Sequence, residues 1–312
     1  MNNPLDPARL PFRVGVSPLA WTNDVLLDLG GDLPLEQCLR EARTAGYAGT
    51  ELGRLFPRNA QALSACLRPF DLQLASGWHS GFLADDTVDA ELERVEAHAT
   101  LLRTMGAKVM VYGECGGMYG DRPLDTGMSR RPPLPKAAVR AYADRLTAFG
   151  EALQTRWGLS LAYHHHLMMV AETFDEISEV FDHAGAACGL LLDTGHAAAA
   201  GFDYAQLLAR FGQRITHIHL KDVRADVMRQ VRSDDFSFNE GVRAGMFTVP
   251  GDGCVDFAPL ATFVQETGYS GWLIVEAEQD PVKAPPLATV TRARAFVADT
   301  FERLESPSGR RA

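Results

Sequence analysis

The 312-residue chain reads as an α/β protein of the (β/α)8 TIM-barrel class, one domain spanning residues 1–312. Three observations predict this. Short β-rich runs alternate with longer amphipathic stretches from one end to the other, and the β-rich runs number eight. Polar residues recur at the C-terminal ends of those runs, where barrel active sites are built. An open doubly wound sheet shares the local signals, but the GxGxxG or P-loop that would mark it does not follow the first run.

In order, the β-rich runs are "FRVGVS", "AGTEL", "LQLASGW", "AKVMVYG", "LSLAYH", "CGLLLD", "RITHIHL" and "GWLIVE". A run as apolar as "GLLLD" suits a strand covered on both faces, as in a parallel sheet. Between the runs lie stretches such as "LPLEQCLREARTAG", "DAELERVEAHATLLRTMG" and "KAAVRAYADRLTAFGEALQTRWG", whose apolar residues recur at helical spacing. Gly46, Gly106 and Gly158 stand at the ends of these stretches, as helix C-caps do. Long insertions follow the fourth run ("GECGGMYGDRPLDTGMSRRPPLP") and the seventh ("KDVRADVMRQVRSDDFSFNEGVRAGMFTVPGDGCV"). Both are expected to overhang the catalytic face as a lid. No composition shift marks a second domain, and the tail "SPSGRRA", about 306–312, is expected to be disordered.

Composition narrows the function classes. Apolar residues make up 46% of the chain, enough for a sizeable core, and the net charge is −10. No stripe of Lys and Arg is present to neutralise phosphates, so nucleic acid is disfavoured as a partner. The N-terminus lacks the features of a signal peptide, and no apolar stretch approaches membrane-spanning length. The five cysteines are scattered without CxxC spacing, which fits reduced thiols in a cytoplasmic protein. A homo-oligomer is compatible with all of this.

The chemistry concentrates at four strand ends. The fifth run ends in Tyr163-His164-His165-His166, the sixth in Asp193-Thr194-Gly195-His196, the seventh in His217-Ile218-His219-Leu220-Lys221-Asp222, and the eighth in Glu276-Ala277-Glu278. In a barrel these are neighbours around one rim. Alternation along a strand points His217 and His219 the same way, Glu276 and Glu278 the same way, and either His164 with His166 or else His165 inward. A lone buried His is more often a hydrogen-bonded core residue, and Asp193 alone reads equally well as a helix N-cap. Six of the nine histidines fall at three consecutive strand ends, however, which chance placement would scatter. Asp193, His219 and Glu276, with His164 or His166 as the fourth, form a mixed N/O ligand set. Such a set suits Mn²⁺, Co²⁺, Fe²⁺ or Zn²⁺ better than Ca²⁺. Glu51 and Glu114 are further inward candidates, for substrate hydroxyls, for proton transfer or merely for rim ion pairs. Trp21 and Trp78 lie near strand ends, able to stack on a ring but individually more consistent with packing. Gly251 and Gly253 in "PGDGCVDF" read as conformational rather than phosphate-binding.

Several of these segments resemble the inosose dehydratases of bacterial myo-inositol catabolism, within the xylose-isomerase-like barrel superfamily. They are "AYHHH", "LLLDTGHAAAAGFD", "HIHLKDVR", "GMFTVPGDGCVDF" and "GWLIVEAEQDP", with "GVSPLAWTND", "GTELG" and "GECGG" nearer the N-terminus. The resemblance runs nearly the whole chain. It implies dehydration of 2-keto-myo-inositol (scyllo-inosose), a small polyhydroxylated keto-substrate, to a trihydroxycyclohexane dione with Mn²⁺ or Co²⁺. In superfamily relatives the metal ligands are a Glu on the fifth strand, then Asp, His and Glu on the next three. The last three carry over to Asp193, His219 and Glu276, whereas the fifth strand here bears histidines. A second departure is "LMMVAE" after the triple His, where a small-residue turn is expected.

Loss of water from a β-hydroxyketone runs most easily through an enolate, whose charge a divalent cation stabilises by several kcal/mol. A base takes the α-proton and an acid protonates the departing hydroxyl, each positioned transfer worth roughly 10²–10⁴-fold. Glu51, His166 and His196 are the base candidates, with Lys221 as electrostatic support or acid. The rival readings are a keto-sugar isomerase or epimerase using the same enediolate chemistry, a phosphodiesterase, which lacks its basic groove here, and a non-catalytic sugar-binding barrel.

Overall fold

The computed structural model describes residues 10–302; the tail expected to be disordered lies outside the described residues. All eight β-rich runs form strands. They are β1 (Arg13–Val16), β2 (Gly49–Leu52), β3 (Gln73–Gly81), β4 (Val109–Glu114), β5 (Ser160–His164), β6 (Cys188–Asp193), β7 (Ile215–Leu220) and, after a two-stranded ribbon of β8 (Asp222–Val223) with β9 (Phe247–Thr248), β10 (Trp272–Val275). The eight longer-range partners close a parallel barrel in the order β1-β10-β7-β6-β5-β4-β3-β2. Helices α1 (Leu35–Thr44), α2 (Ala60–Leu67), α3 (Val88–Thr104), α4 (Lys136–Trp157) and α5 (Phe174–His183) follow the first five barrel strands in turn. Gly46, Gly106 and Gly158 take left-handed φ values of +92°, +84° and +66°, a conformation without Cβ penalty for glycine alone.

Period-two alternation decides which side chains face the barrel axis. Val109, Val111, Ala162 and Leu191 pack together inside the barrel, while Met110, Tyr112, Leu161, Tyr163, Leu190, Leu192 and Ile218 belong to the layer between strands and helices. Continuing each strand by its own parity turns His164, Asp193, His217, His219 and Glu276 inward, and Glu51 likewise because Leu52 packs outward. The register then levels them. Asp193 stands beside His219, which stands beside Ile274, two residues short of Glu276.

The two insertions meet over the C-terminal mouth. Gly127 bridges Ser237, Met128 donates its N–H to the Phe236 carbonyl at 3.1 Å, and Asn239 Nδ2 donates to Asp125 Oδ1 at 2.8 Å. Beneath this seam Leu26, Leu29, Leu167, Met168, Met228, Val231, Phe238, Met246 and Phe247 form a separate apolar roof. Asp222 braces the seventh insertion by accepting the N–H groups of Gly251, Gly253 and Val255 at 2.9–3.1 Å. Gly251 is conformational in role, at φ +85°, whereas Gly253 supplies space: a Cβ there would meet Asp222 Oδ1 at 2.3 Å.

One half-buried histidine outside the mouth gives a stability test. His98 on α3 packs against Gly77, and its Nε2 is buried without a hydrogen-bond partner. Burial pushes its imidazole down from 6.5 to about 4. The unfolded chain thus takes up a proton that the folded chain refuses, and stability present above pH 6.5 is lost as pH falls through about 4. Urea midpoints measured across this range should show His98→Leu escaping about 2–3 kcal/mol of the acid loss. Parallel acid limbs for the variant and the unaltered chain would contradict this assignment.

Candidate metal centre

Asp193 is both helix cap and site residue. It is the N-cap of α6 (Thr194–Ala200), its Oδ1 accepting the His196 N–H at 2.8 Å, which leaves Oδ2 turned into the barrel. His164 donates from Nδ1 to the His165 carbonyl at 2.8 Å, so its bare Nε2 faces Asp193 Oδ2 at 3.4 Å. His219 donates from Nε2 to Glu51 Oε1 at 3.2 Å, and its Nδ1 faces Asp193 Oδ2 at 3.5 Å and presses on Glu276 Oε2. Ligand atoms of these four buried residues all lie within 4.8 Å of one another.

The donor set fits a divalent ion. Asp193 Oδ2, His219 Nδ1 and Glu276 Oε2 are buried and have no hydrogen-bond partner, although they crowd together. Buried polar atoms of a folded protein are nearly always paired, so three orphans converging on one point call for an explanation. A cation bound at about 2.0–2.2 Å in tetrahedral geometry would set its ligands about 3.3–3.6 Å apart. The Asp193 contacts to both histidines have that spacing.

Without the ion, protons balance the carboxylates. Burial works against charge on His219, but the Glu276 and Glu51 carboxylates outweigh it and hold the imidazole well above its usual range. Lys221, wholly buried, is likewise kept charged against burial by Asp193, Glu276 and Glu278. Burial resists ionisation of Glu276 too, yet His219 and Lys221 hold that carboxyl down to about 2. A divalent ion held by these residues would displace a proton from His219.

The remaining predicted residues separate into three groups. Glu51 and His166 line a cavity of about 480 Å³ at the barrel mouth, together with His164, His219, Glu276 and Glu278. Glu51 Oε1 is already engaged, accepting from Ser76 Oγ at 2.5 Å and meeting His217 Nε2 at 3.0 Å as well as His219. His196 and Lys221 are buried behind this lining: His196 Nδ1 accepts the Leu167 N–H, and its Nε2 meets Lys221 Nζ at 3.0 Å. Glu114 faces away from the cavity, accepting from Tyr112 Oη, Ala84 N and Gly116 N, and burial raises it to about 7. Its role is structural.

The two tryptophans divide as well. Trp21 is core, its Nε1 donating to Glu41 at 2.6 Å. Trp78 is a cavity wall, edge-on to His164 and His166. His165 packs behind the centre, its Nε2 accepting the Asp193 N–H at 3.2 Å. In "LMMVAE", where a small-residue turn was expected, Met168 itself takes the left-handed conformation at φ +71°, held by its N–H to Glu172 Oε2 at 2.7 Å. Phe238 of the seventh insertion also lines the cavity; nothing in its local sequence marks it, because its place depends on how the insertion folds back.

Among the described residues no helix is long and apolar enough to cross a membrane. The family model of the xylose isomerase-like TIM barrel matches residues 39–299. The chain is 46% identical over 278 residues to the rhizopine catabolism protein MocC of Rhizobium meliloti, covering 89% of this chain and 85% of that one. It is 37% identical over 289 residues to the inosose dehydratase of Geobacillus thermodenitrificans, covering 92% and 97%. Among solved structures, that of IOLI protein with a bound zinc atom is similar in fold, with a TM-score of 0.64 at 16% identity, covering 95% of this chain and all of that one. The chain belongs to the xylose isomerase-like TIM barrel family and, within it, to the inosose dehydratase group of hydro-lyases.

Proposed function

We propose that this protein is a divalent-metal-dependent dehydratase of cytoplasmic myo-inositol catabolism, acting on scyllo-inosose with Mn²⁺ or Co²⁺. The observation that carries the metal dependence is the convergence of three unpartnered ligand atoms, from Asp193, His219 and Glu276, at the floor of the cavity. The substrate is supported by the inosose dehydratases among the relatives. The bound ion would supply Lewis-acid stabilisation of enolate charge.

The chain's own residues do the rest. Trp78 supplies an apolar wall, suited to the C–H surface of a cyclic polyol. The roof over the mouth excludes water from a reactive enolate. His166 donates from Nδ1 to the Leu167 carbonyl at 2.6 Å, which fixes the tautomer and leaves Nε2 bare. From the cavity lining it takes the α-proton in this reading. Glu278, at the same rim, then protonates the departing hydroxyl. Glu51, with three groups on one oxygen, serves better to orient His219 than to move a proton.

The test is to incubate the purified protein with scyllo-inosose and Mn²⁺ or Co²⁺, with and without a chelator, and weigh the product. The expected product has lost one water, and chelation stops its formation. A product of unchanged mass with altered stereochemistry would instead identify an epimerase.

A further inference from the structure

Next to the centre lies a second group of the same chemistry. His166, His196 and Glu278 are buried, and each offers a ligand atom within 4.8 Å of the others. By donor type this trio is a seat for another cation. The Lys221 side chain ends in it. Nζ stands 3.0 Å from His196 Nε2 and 3.4 Å from Glu278 Oε2, and also 3.0 Å from Glu276 Oε1 and 3.6 Å from Asp193 Oδ2.

The position is built. Thr194 Oγ1 accepts the Lys221 N–H at 3.0 Å and donates to the Lys221 carbonyl at 2.6 Å, fixing where the side chain starts. Gly195 then gives it passage: a Cβ there would come within 2.4–2.8 Å of Lys221 Cβ, Cγ and Cδ. Gly195 lies inside a helix, so space and not backbone freedom is what glycine supplies. The Phe247 ring sits 4.7 Å from the ammonium.

We propose that the Lys221 ammonium is a resident second cation, filling the seat that His166, His196 and Glu278 would otherwise offer to a metal ion, so that the chain binds one divalent ion and not two. Two-metal centres hold their ions roughly 3.5–4 Å apart. A single fixed charge there repels the first ion less than a second divalent ion does, and it cannot dissociate. The inference rests on the metal centre proposed above.

Equilibrium dialysis against Mn²⁺, Co²⁺ or Zn²⁺, followed by elemental analysis of metal per chain, tests it. The unaltered chain is expected to saturate at one equivalent and Lys221→Met at two. Lys221→Met combined with Glu278→Gln is expected to return to one. Gly195→Ala, which pushes the lysine stem aside, provides an independent route to the second equivalent. Saturation of the unaltered chain at two equivalents overturns the inference while leaving the primary centre standing. So does a single equivalent in both Lys221→Met and Gly195→Ala when their circular dichroism matches the unaltered fold. An unaltered chain that takes no metal removes the primary centre, and this inference with it.

Discussion

Asp193→Asn and Glu276→Gln should each abolish metal binding and lower kcat/KM by on the order of 10³-fold or more, while the metal-free chain still folds. The two halves of this expectation have separate causes. Asn is as good an N-cap as Asp, so its Oδ1 keeps the His196 N–H that begins α6. Its Nδ2 then points where Asp193 Oδ2 pointed, towards the imidazoles of His164 and His219. Hydrogen-bond donors replace a lone pair, the cation loses a ligand, and His219 and Lys221 lose one counter-charge. Removing one carboxylate from beside these buried cations should lower the metal-free thermal midpoint while leaving the circular dichroism unchanged. Calorimetry with and without Mn²⁺ reads both effects: the rise in midpoint on adding metal should vanish in either variant. Full metal-dependent turnover in the double variant would remove the basis of the proposed chemistry.

Glu51 gives the second large effect, and it discriminates between two roles. Its Oε1 accepts from His219 Nε2, so the proton sits on that nitrogen and Nδ1 is bare towards the ion. Carboxylate partners of this kind typically account for 10–100-fold in metal affinity. Glu51→Ala should therefore weaken Mn²⁺ binding by roughly 10–100-fold, with Glu51→Asp recovering part of it. Most of kcat should return when metal is raised to saturation. A general base behaves otherwise: kcat would stay depressed at any metal concentration. Titrating metal at saturating substrate separates the two.

The barrel was legible because each strand carried its signal locally. Runs such as "CGLLLD" are apolar on both faces, and Gly46, Gly106 and Gly158 mark the helix ends. The ligand candidates were legible for a related reason: a side chain two residues beyond an inward position is inward again, whatever its distant partners. That rule ran out at the fifth strand. "YHHH" offers two parities, and only packing of Ala162 inside the barrel and Tyr163 outside selects His164 over His165. His166, two positions on, shares that parity and reaches the cavity, yet Nε2 of His164 is the one beside Asp193.

Long-range consequences were not legible. Phe238 becomes a cavity wall because two insertions more than 100 residues apart pair through Gly127 and Ser237. Lys221 looked like a rim residue in "HLKDV", but the gap left by Gly195 draws it beneath the site, against the ligands rather than the cavity. The Glu51 side chain could be placed inward from "GTELG". Its capture by Ser76, His217 and His219 depends on strands that the sequence separates by up to 168 residues.

The most direct measurement is anomalous diffraction from crystals soaked in Mn²⁺ or Co²⁺, collected on either side of the metal edge. The expected map has a single peak at the cavity floor, within about 2.0–2.3 Å of His164 Nε2, Asp193 Oδ2, His219 Nδ1 and a Glu276 oxygen. A map without a peak there, with those four side chains still in place, would contradict the metal centre on which the proposed dehydration depends.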